Sequence, residues 1–144
     1  MKRNISPRSY EKLCFASYLS LFAIVVTGGL VRLTGSGLGC SDWPQCNSEK
    51  FIDVSSMHGA IEQINRLFTG FVAVIVIAAV LGSLFLAERK RSLTRLSLGL
   101  VVGVLAQVVL GGIVVLTGLN PFANMGHFLL SMVLIANAVV LCRH

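Results

Sequence analysis

An all-α fold is predicted: a polytopic membrane protein built as an antiparallel four-helix transmembrane bundle of two similar helical hairpins. Three observations predict it. Of 144 residues, 55% are hydrophobic and 12% charged, with a mean hydropathy of +0.82, more apolar surface than a soluble domain of this length can hide. Four apolar stretches lie near 14–33, 59–86, 96–116 and 125–142, and about 20 helical residues cross the roughly 30 Å hydrocarbon core. A glycine-rich segment of the first stretch also recurs in the third. The chain reads as a single membrane domain, 1–144, with an outward loop at 34–58.

The first span follows Lys2, Arg3, Arg8 and Lys12. Its apolar run exceeds the 7–15 residues of a signal-peptide core and leads into Gly28-Gly29 and Arg32 without a small-x-small cleavage site, so a retained helix is expected. No Arg- and Ser-rich, acid-poor transit peptide precedes it, which points to a prokaryotic cell membrane. Arg89, Lys90, Arg91 and Arg95 separate the second and third spans, whereas the 34–58 loop sets Asp42, Glu49 and Asp53 against Lys50. By the positive-inside rule both termini and the basic loop are cytoplasmic and the 34–58 loop faces outward. The net charge of +6 thus reflects topology, and nucleic-acid binding is rejected.

The loop carries Cys40 and Cys46, with five residues, Pro44 among them, in between. An outward compartment permits a disulfide, and the spacing leaves slack for its Cα separation. A disulfide is expected ahead of free thiols or a metal pair, because no further Cys or His stands in the loop to complete a tetrahedral site. Trp43 reads as an interfacial anchor or loop plug. Cys14 and Cys142 sit in or beside apolar spans and read as packing residues.

The second span opens with His58, Glu62 and Arg66, spaced four apart on one helical face. Two readings of Glu62 compete. One is an intramembrane ion pair with Arg66; the other, favoured because a buried charge without purpose is readily lost, is a functional carboxylate handling protons or a polar substrate. Arg32 and Arg66 are costly at membrane depth unless they snorkel or pair, and would meet Glu62, Asp53 or the carboxylates of a ligand.

The third span repeats the first: Gly28-Gly29-Leu30-Val31-Arg32-Leu33-Thr34-Gly35 recurs as Gly111-Gly112-Ile113-Val114-Val115-Leu116-Thr117-Gly118. Duplication predicts two hairpins of like orientation, related about an axis along the membrane normal. The paired glycines are read as close helix packing. The fourth span, barely long enough, begins near His127, with Ser131 one turn deeper, and the chain ends at Arg143-His144; His144 is given no role. His127 is expected at the depth of Glu62 and on the same side. An interfacial histidine is often only a satisfied polar residue, but a neutral imidazole facing a bundle interior is also the axial ligand of haem iron.

Taken together, the run from Gly28 through Thr34-Gly-Ser-Gly-Leu-Gly-Cys40-Ser-Asp-Trp43-Pro-Gln-Cys46, the motif Glu62-x-x-Asn65-Arg66-Leu-x-Thr-Gly70, the Gly111–Gly118 segment and His127-x-x-x-Ser131 resemble haem A synthase. The resemblance covers nearly the whole chain. It implies eight spans in two four-helix halves, of which this chain matches the amino-terminal one. It further implies oxidation of a methyl group of haem O to a formyl group by successive hydroxylations, for cytochrome oxidase assembly. Carried over by position, Glu62 is the glutamate beside the substrate haem, His127 the iron-ligating histidine of helix 4, and Cys40 and Cys46 the loop pair. Arg32 and Arg66 would hold haem propionates, and His58 is a weaker haem-binding candidate.

Two departures stand out. Asn65 replaces a histidine found in many members, which excludes bis-His ligation through that position. The second half, expected to hold haem b, is not matched. A truncated chain is expected ahead of a half-size protein that dimerises. Expected partners are haem O, membrane lipid, a second four-helix half or a homodimer, haem O synthase and cytochrome oxidase assembly factors. The rivals to an enzyme are a non-catalytic haem-binding or assembly subunit, an inactive fragment, and a four-helix quinone redox protein with a disulfide partner.

Overall fold

The computed structural model describes residues 5–86 and 90–143; Lys2, Arg3, Arg89 and His144 lie outside the described residues. Four helices carry the chain, α1 (Pro7–Leu33), α2 (Met57–Leu84), α3 (Arg91–Leu116) and α4 (Pro121–Arg143). They contain 27, 28, 26 and 23 residues, and each is long and apolar enough to cross a membrane. The fold is therefore the all-helical, multi-pass membrane class expected.

The helices begin where caps place them. Ser6 accepts the Ser9 N–H, with Pro7 in the first turn of α1. Ser56 accepts the Gly59 N–H at 3.0 Å and starts α2. Asn120 accepts the N–H groups of Phe122 and Ala123, which starts α4 at Pro121, four residues before the apolar stretch begins. Capping satisfies the free N–H groups of a first turn whether or not that turn is apolar. The helices consequently outrun the apolar stretches at these ends.

Each helix packs against two others: α1 against α2 and α4, and α3 against α2 and α4. Thr27, near the end of α1, reaches Asn65 near the start of α2, while Gly82, near the end of α2, lies under Tyr10 and Leu13 near the start of α1. In the other pair Gln107 of α3 bonds the His127 carbonyl of α4, and Asn137 of α4 bonds the Leu96 carbonyl of α3. At the amino end of α1, Tyr10 crosses the bundle to the Ser97 hydroxyl of α3 at 2.9 Å.

The internal repeat is written into the backbone. After α1, Gly35 N–H bonds Arg32 C=O and Ser36 N–H bonds Val31 C=O; after α3, Gly118 N–H bonds Val115 C=O and Leu119 N–H bonds Val114 C=O. Both ends are Schellman closures with a left-handed glycine, φ 68° at Gly35 and 62° at Gly118. The paired glycines before them, however, do different jobs. A Cβ at Gly112 would lie 2.5 Å from the Trp43 ring, and one at Gly111 would lie 3.5 Å from the His127 ring. Neither Gly28 nor Gly29 meets anything within 4 Å. The expectation that all four glycines serve close helix packing is corrected: Gly111 does lie against α4, but Gly28 and Gly29 face open space and Gly112 makes room for an aromatic ring from the loop.

The interior is divided along its length. Tyr10, Cys14, Leu21, Val72, Val76, Leu93, Leu100, Val104, Leu134, Ala138 and Leu141 form an apolar core through the middle and the end away from the 34–56 loop. At the loop end the buried groups include Ser36, Cys40, Cys46, Glu62 and Gln63 beside Val31 and Val114. Large apolar side chains such as Phe22, Phe71, Leu105 and Val133 point outward along the helices, as a lipid-facing surface requires.

Candidate functional site

The loop between α1 and α2 folds back into the mouth of the bundle. Gly39 lies directly against the backbone of His58 and Gly59, where any Cβ would collide. That close approach brings the Cys40 N–H to Glu62 Oε2 at 2.8 Å. The Sγ atoms of Cys40 and Cys46 are 2.08 Å apart and their Cα atoms 4.4 Å apart, a disulfide spacing.

Glu62 is 5% exposed. Its other oxygen, Oε1, accepts from Arg66 Nη2 at 2.6 Å and Nε at 3.1 Å. Arg66 does more than balance this charge. Its Nη1 donates to the carbonyls of Asp42 and Gln45, both at 3.1 Å, and of Pro44 at 3.5 Å. Its guanidinium also sits 4.9 Å over the Trp43 ring, a cation–π distance. One helical turn of α2 thus holds the loop by a carboxylate at Cys40 and a guanidinium across residues 42–45. Asp42 stiffens the same segment, accepting the Trp43 N–H at 2.8 Å and the Gln45 amide at 3.1 Å.

Farther along the loop, Asp53 accepts from Ser55 N–H and Asn47 Nδ2 and lies 3.8 Å from Lys50. Hydrogen bonds from Ser55 hold its carboxyl below the usual aspartate range. Of the two carboxylates considered for the arginines, Glu62 takes Arg66. Arg32 is exposed at the end of α1 and has no ion pair among the described residues. His58 is exposed at the start of α2, with Nδ1 2.9 Å from the Ser36 hydroxyl.

His127 lies on α4 against α3, beside Gly111, and makes no hydrogen bond to this cluster. Ser131 Oγ donates to the His127 carbonyl at 2.9 Å, the back-bond expected of a helical serine. Gln107 of α3 donates from Nε2 to that carbonyl at 3.0 Å and to Ser131 Oγ. Among the described residues, two buried side-chain atoms are left without hydrogen-bond partners: His127 Nδ1 and Gln107 Oε1. Gln107 was not singled out in the sequence; a lone amide in the 96–116 apolar stretch was its only signal.

The same back-bond appears on α2, where Thr69 Oγ1 donates to the Asn65 carbonyl at 3.1 Å. Asn65 Oδ1 accepts from Thr27 at 2.8 Å. Asn65-x-x-x-Thr69 on α2 and His127-x-x-x-Ser131 on α4 are thus two versions of one local pattern. One presents an amide already engaged and the other an imidazole with a free nitrogen.

A family model described as cytochrome oxidase assembly protein (COX15-CtaA) matches residues 11–58, spanning most of α1 and the whole loop. The similarity of curated relatives runs farther. The chain is 31% identical over 135 residues, 93% of its length, to proteins named heme A synthase from Bacillus mycoides and Bacillus cereus. The match to the protein of that name from Bacillus anthracis has the same identity and extent. The chain belongs to the haem A synthase family. It spans 43% of the length of these relatives.

The donor set fits a haem held on one side. His127 offers an imidazole whose ring makes no hydrogen bond to a described residue, whereas the Asn65 amide is tied to Thr27 and a carboxamide is a poor iron ligand beside imidazole.

Proposed function

We propose that this chain is the haem O-binding half of a haem A synthase, serving oxidation of one porphyrin methyl group to a formyl group. The observation that carries the reading is the His127 imidazole on α4, whose ring makes no hydrogen bond to any described residue. A bound haem would supply the ring that is oxidised and an iron for His127 to ligate.

The chain's own residues would do the rest. His127 orients the porphyrin through its iron. Glu62 supplies a fixed negative charge to favour positive charge developing at the reacting methyl. Both Glu62 oxygens are engaged, by Arg66 and by the Cys40 N–H, which supports a fixed charge over a proton carrier. The disulfide braces the loop that Arg66 and Glu62 hold down. The exposed Arg32 is free to meet a propionate by a bidentate contact, and His58 is placed for a lesser role at the loop mouth.

A second reading is a non-catalytic haem-binding or assembly subunit. It is favoured by the Glu62–Arg66 pair, which balances its own charge without chemistry. Expressing the chain in a haem A-deficient membrane host, alone and with a carboxyl-terminal half, and extracting the haems separates the two. Haem A from either arrangement supports the enzyme. Bound haem O with no haem A in both supports the subunit.

A further inference from the structure

The His127–Gln107 contact contains an acceptor without a donor and a ring nitrogen without a partner. Gln107 Oε1 and His127 Nδ1 are both buried and unbonded. They belong to side chains already joined, because Gln107 Nε2 donates to the His127 carbonyl and to Ser131 Oγ. Those two bonds use both amide N–H groups and fix which end of the amide is oxygen. Exchanging N and O would set the side-chain carbonyl against the His127 carbonyl, with no proton between them. Ser131 adds its own proton to the same carbonyl. Oε1 is therefore held beside α4 with its lone pairs unspent, in a place where water is scarce and an unmet acceptor is costly.

We infer that Gln107 is a positioning residue: its side-chain oxygen, unbonded here, becomes the acceptor for the Nδ1–H of His127 when Nε2 takes the iron. The inference rests on the proposed role of His127 as an iron ligand. An imidazole is neutral when it ligates, and the partner of its second nitrogen decides which tautomer is present and how basic the ligating nitrogen is. Ligand-bearing histidines usually give that N–H to a carboxylate, a carbonyl or water. Gln107 offers a carbonyl already tethered to the histidine's own turn.

The test uses the full chain in lipid nanodiscs loaded with iron protoporphyrin IX, and reads the iron midpoint potential and absorption spectrum. Gln107→Met keeps length and helix propensity but removes the acceptor. Gln107→Glu keeps an oxygen acceptor, ionised or not. A less basic imidazole favours ferrous iron, so the Met variant should shift the ferric-to-ferrous preference about tenfold, 59 mV more positive for one electron. The Glu variant should stay at or below the wild-type potential.

Loss of haem from the Met variant with retention by the Glu variant would also support the assignment. If Gln107→Met does not fold, Gln107→Asn draws the amide back by one methylene and is read against Glu in the same way. Equal potentials in all variants, or the same shift in Met and Glu, would overturn the role of Gln107. His127→Ala separates this from the parent reading. If it leaves haem occupancy and spectrum unchanged, the iron-ligand reading itself fails.

Discussion

Removing the Arg66 guanidinium would strip Glu62 of its counter-charge and the loop of three carbonyl contacts at once. Both side chains are largely buried, 12% and 7% exposed, and an unpaired buried carboxylate is the costlier remainder. Arg66→Ala is expected to destabilise the protein by roughly 3–5 kcal/mol, read as lowered thermal stability in detergent. Glu62→Gln should cost less, because an amide oxygen can still accept the Cys40 N–H and Arg66 keeps its carbonyl partners. A stable Glu62→Gln protein that yields no haem A, in an assembly whose wild type does, would place its effect in the chemistry; normal yield would return Glu62 to a structural pair. At His127 the expectation is a loss of haem occupancy or a change of iron spin state in His127→Ala, with a smaller effect in His58→Ala, whose ring is exposed and bound to Ser36. The charged and ring-bearing candidates were legible in the sequence because Glu, Arg, His and Cys stand out against an apolar background. Gln107 was not, since an amide is chemically quiet and its partner lies on another helix.

At the scale of elements, the duplicated Gly-Gly-x-x-x-Leu-Thr-Gly segments share a helix ending but diverge in packing. The shared closure was foreshadowed by the paired Leu-Thr-Gly sequences, which are local. That Gly112 receives Trp43 was not, because the contact joins α3 to the α1–α2 loop. Trp43 is the only tryptophan in the chain, so its fluorescence reports this seat directly. Gly112→Leu should displace the ring, shift its emission to the red and cost about 1–3 kcal/mol through overpacking. Gly28→Leu, the repeat-related change, should leave the emission unmoved because nothing lies within 4 Å of that position. Equal emission shifts from both would contradict the loop placement. The apolar stretches located all four helices, but the ends at Ser6 and Asn120 were set by side-chain caps, which hydropathy does not weigh.

For the whole molecule, the composition already required a membrane protein, and four helices of 23–28 residues are what it forms. How that bundle sits across the bilayer follows from charge, with Arg8, Lys12, Lys90, Arg91 and Arg95 at one end and Asp42, Glu49 and Asp53 in the loop at the other. An orientation with both termini cytoplasmic is expected. Single cysteines placed at Ser48 and at Lys90 should be labelled by an impermeant reagent from outside and from inside, respectively. Labelling of position 90 from outside would reverse the bundle and put Glu62 and His127 on the cytoplasmic face. The chain's 43% span of its relatives makes the assembled state the proper object of activity measurements.

The Cys40 amide has a consequence for kinetics. Its proton is held by the buried Glu62 carboxylate, and the residue itself is fully buried. Solvent deuterium can replace that proton only when the loop has lifted from α2, so the exchange rate of this single site is a clock for loop opening. If Arg66 is the latch, Arg66→Lys, which cannot span the same carbonyls, should speed the clock at Cys40 while amides in the middle of α2 keep their pace.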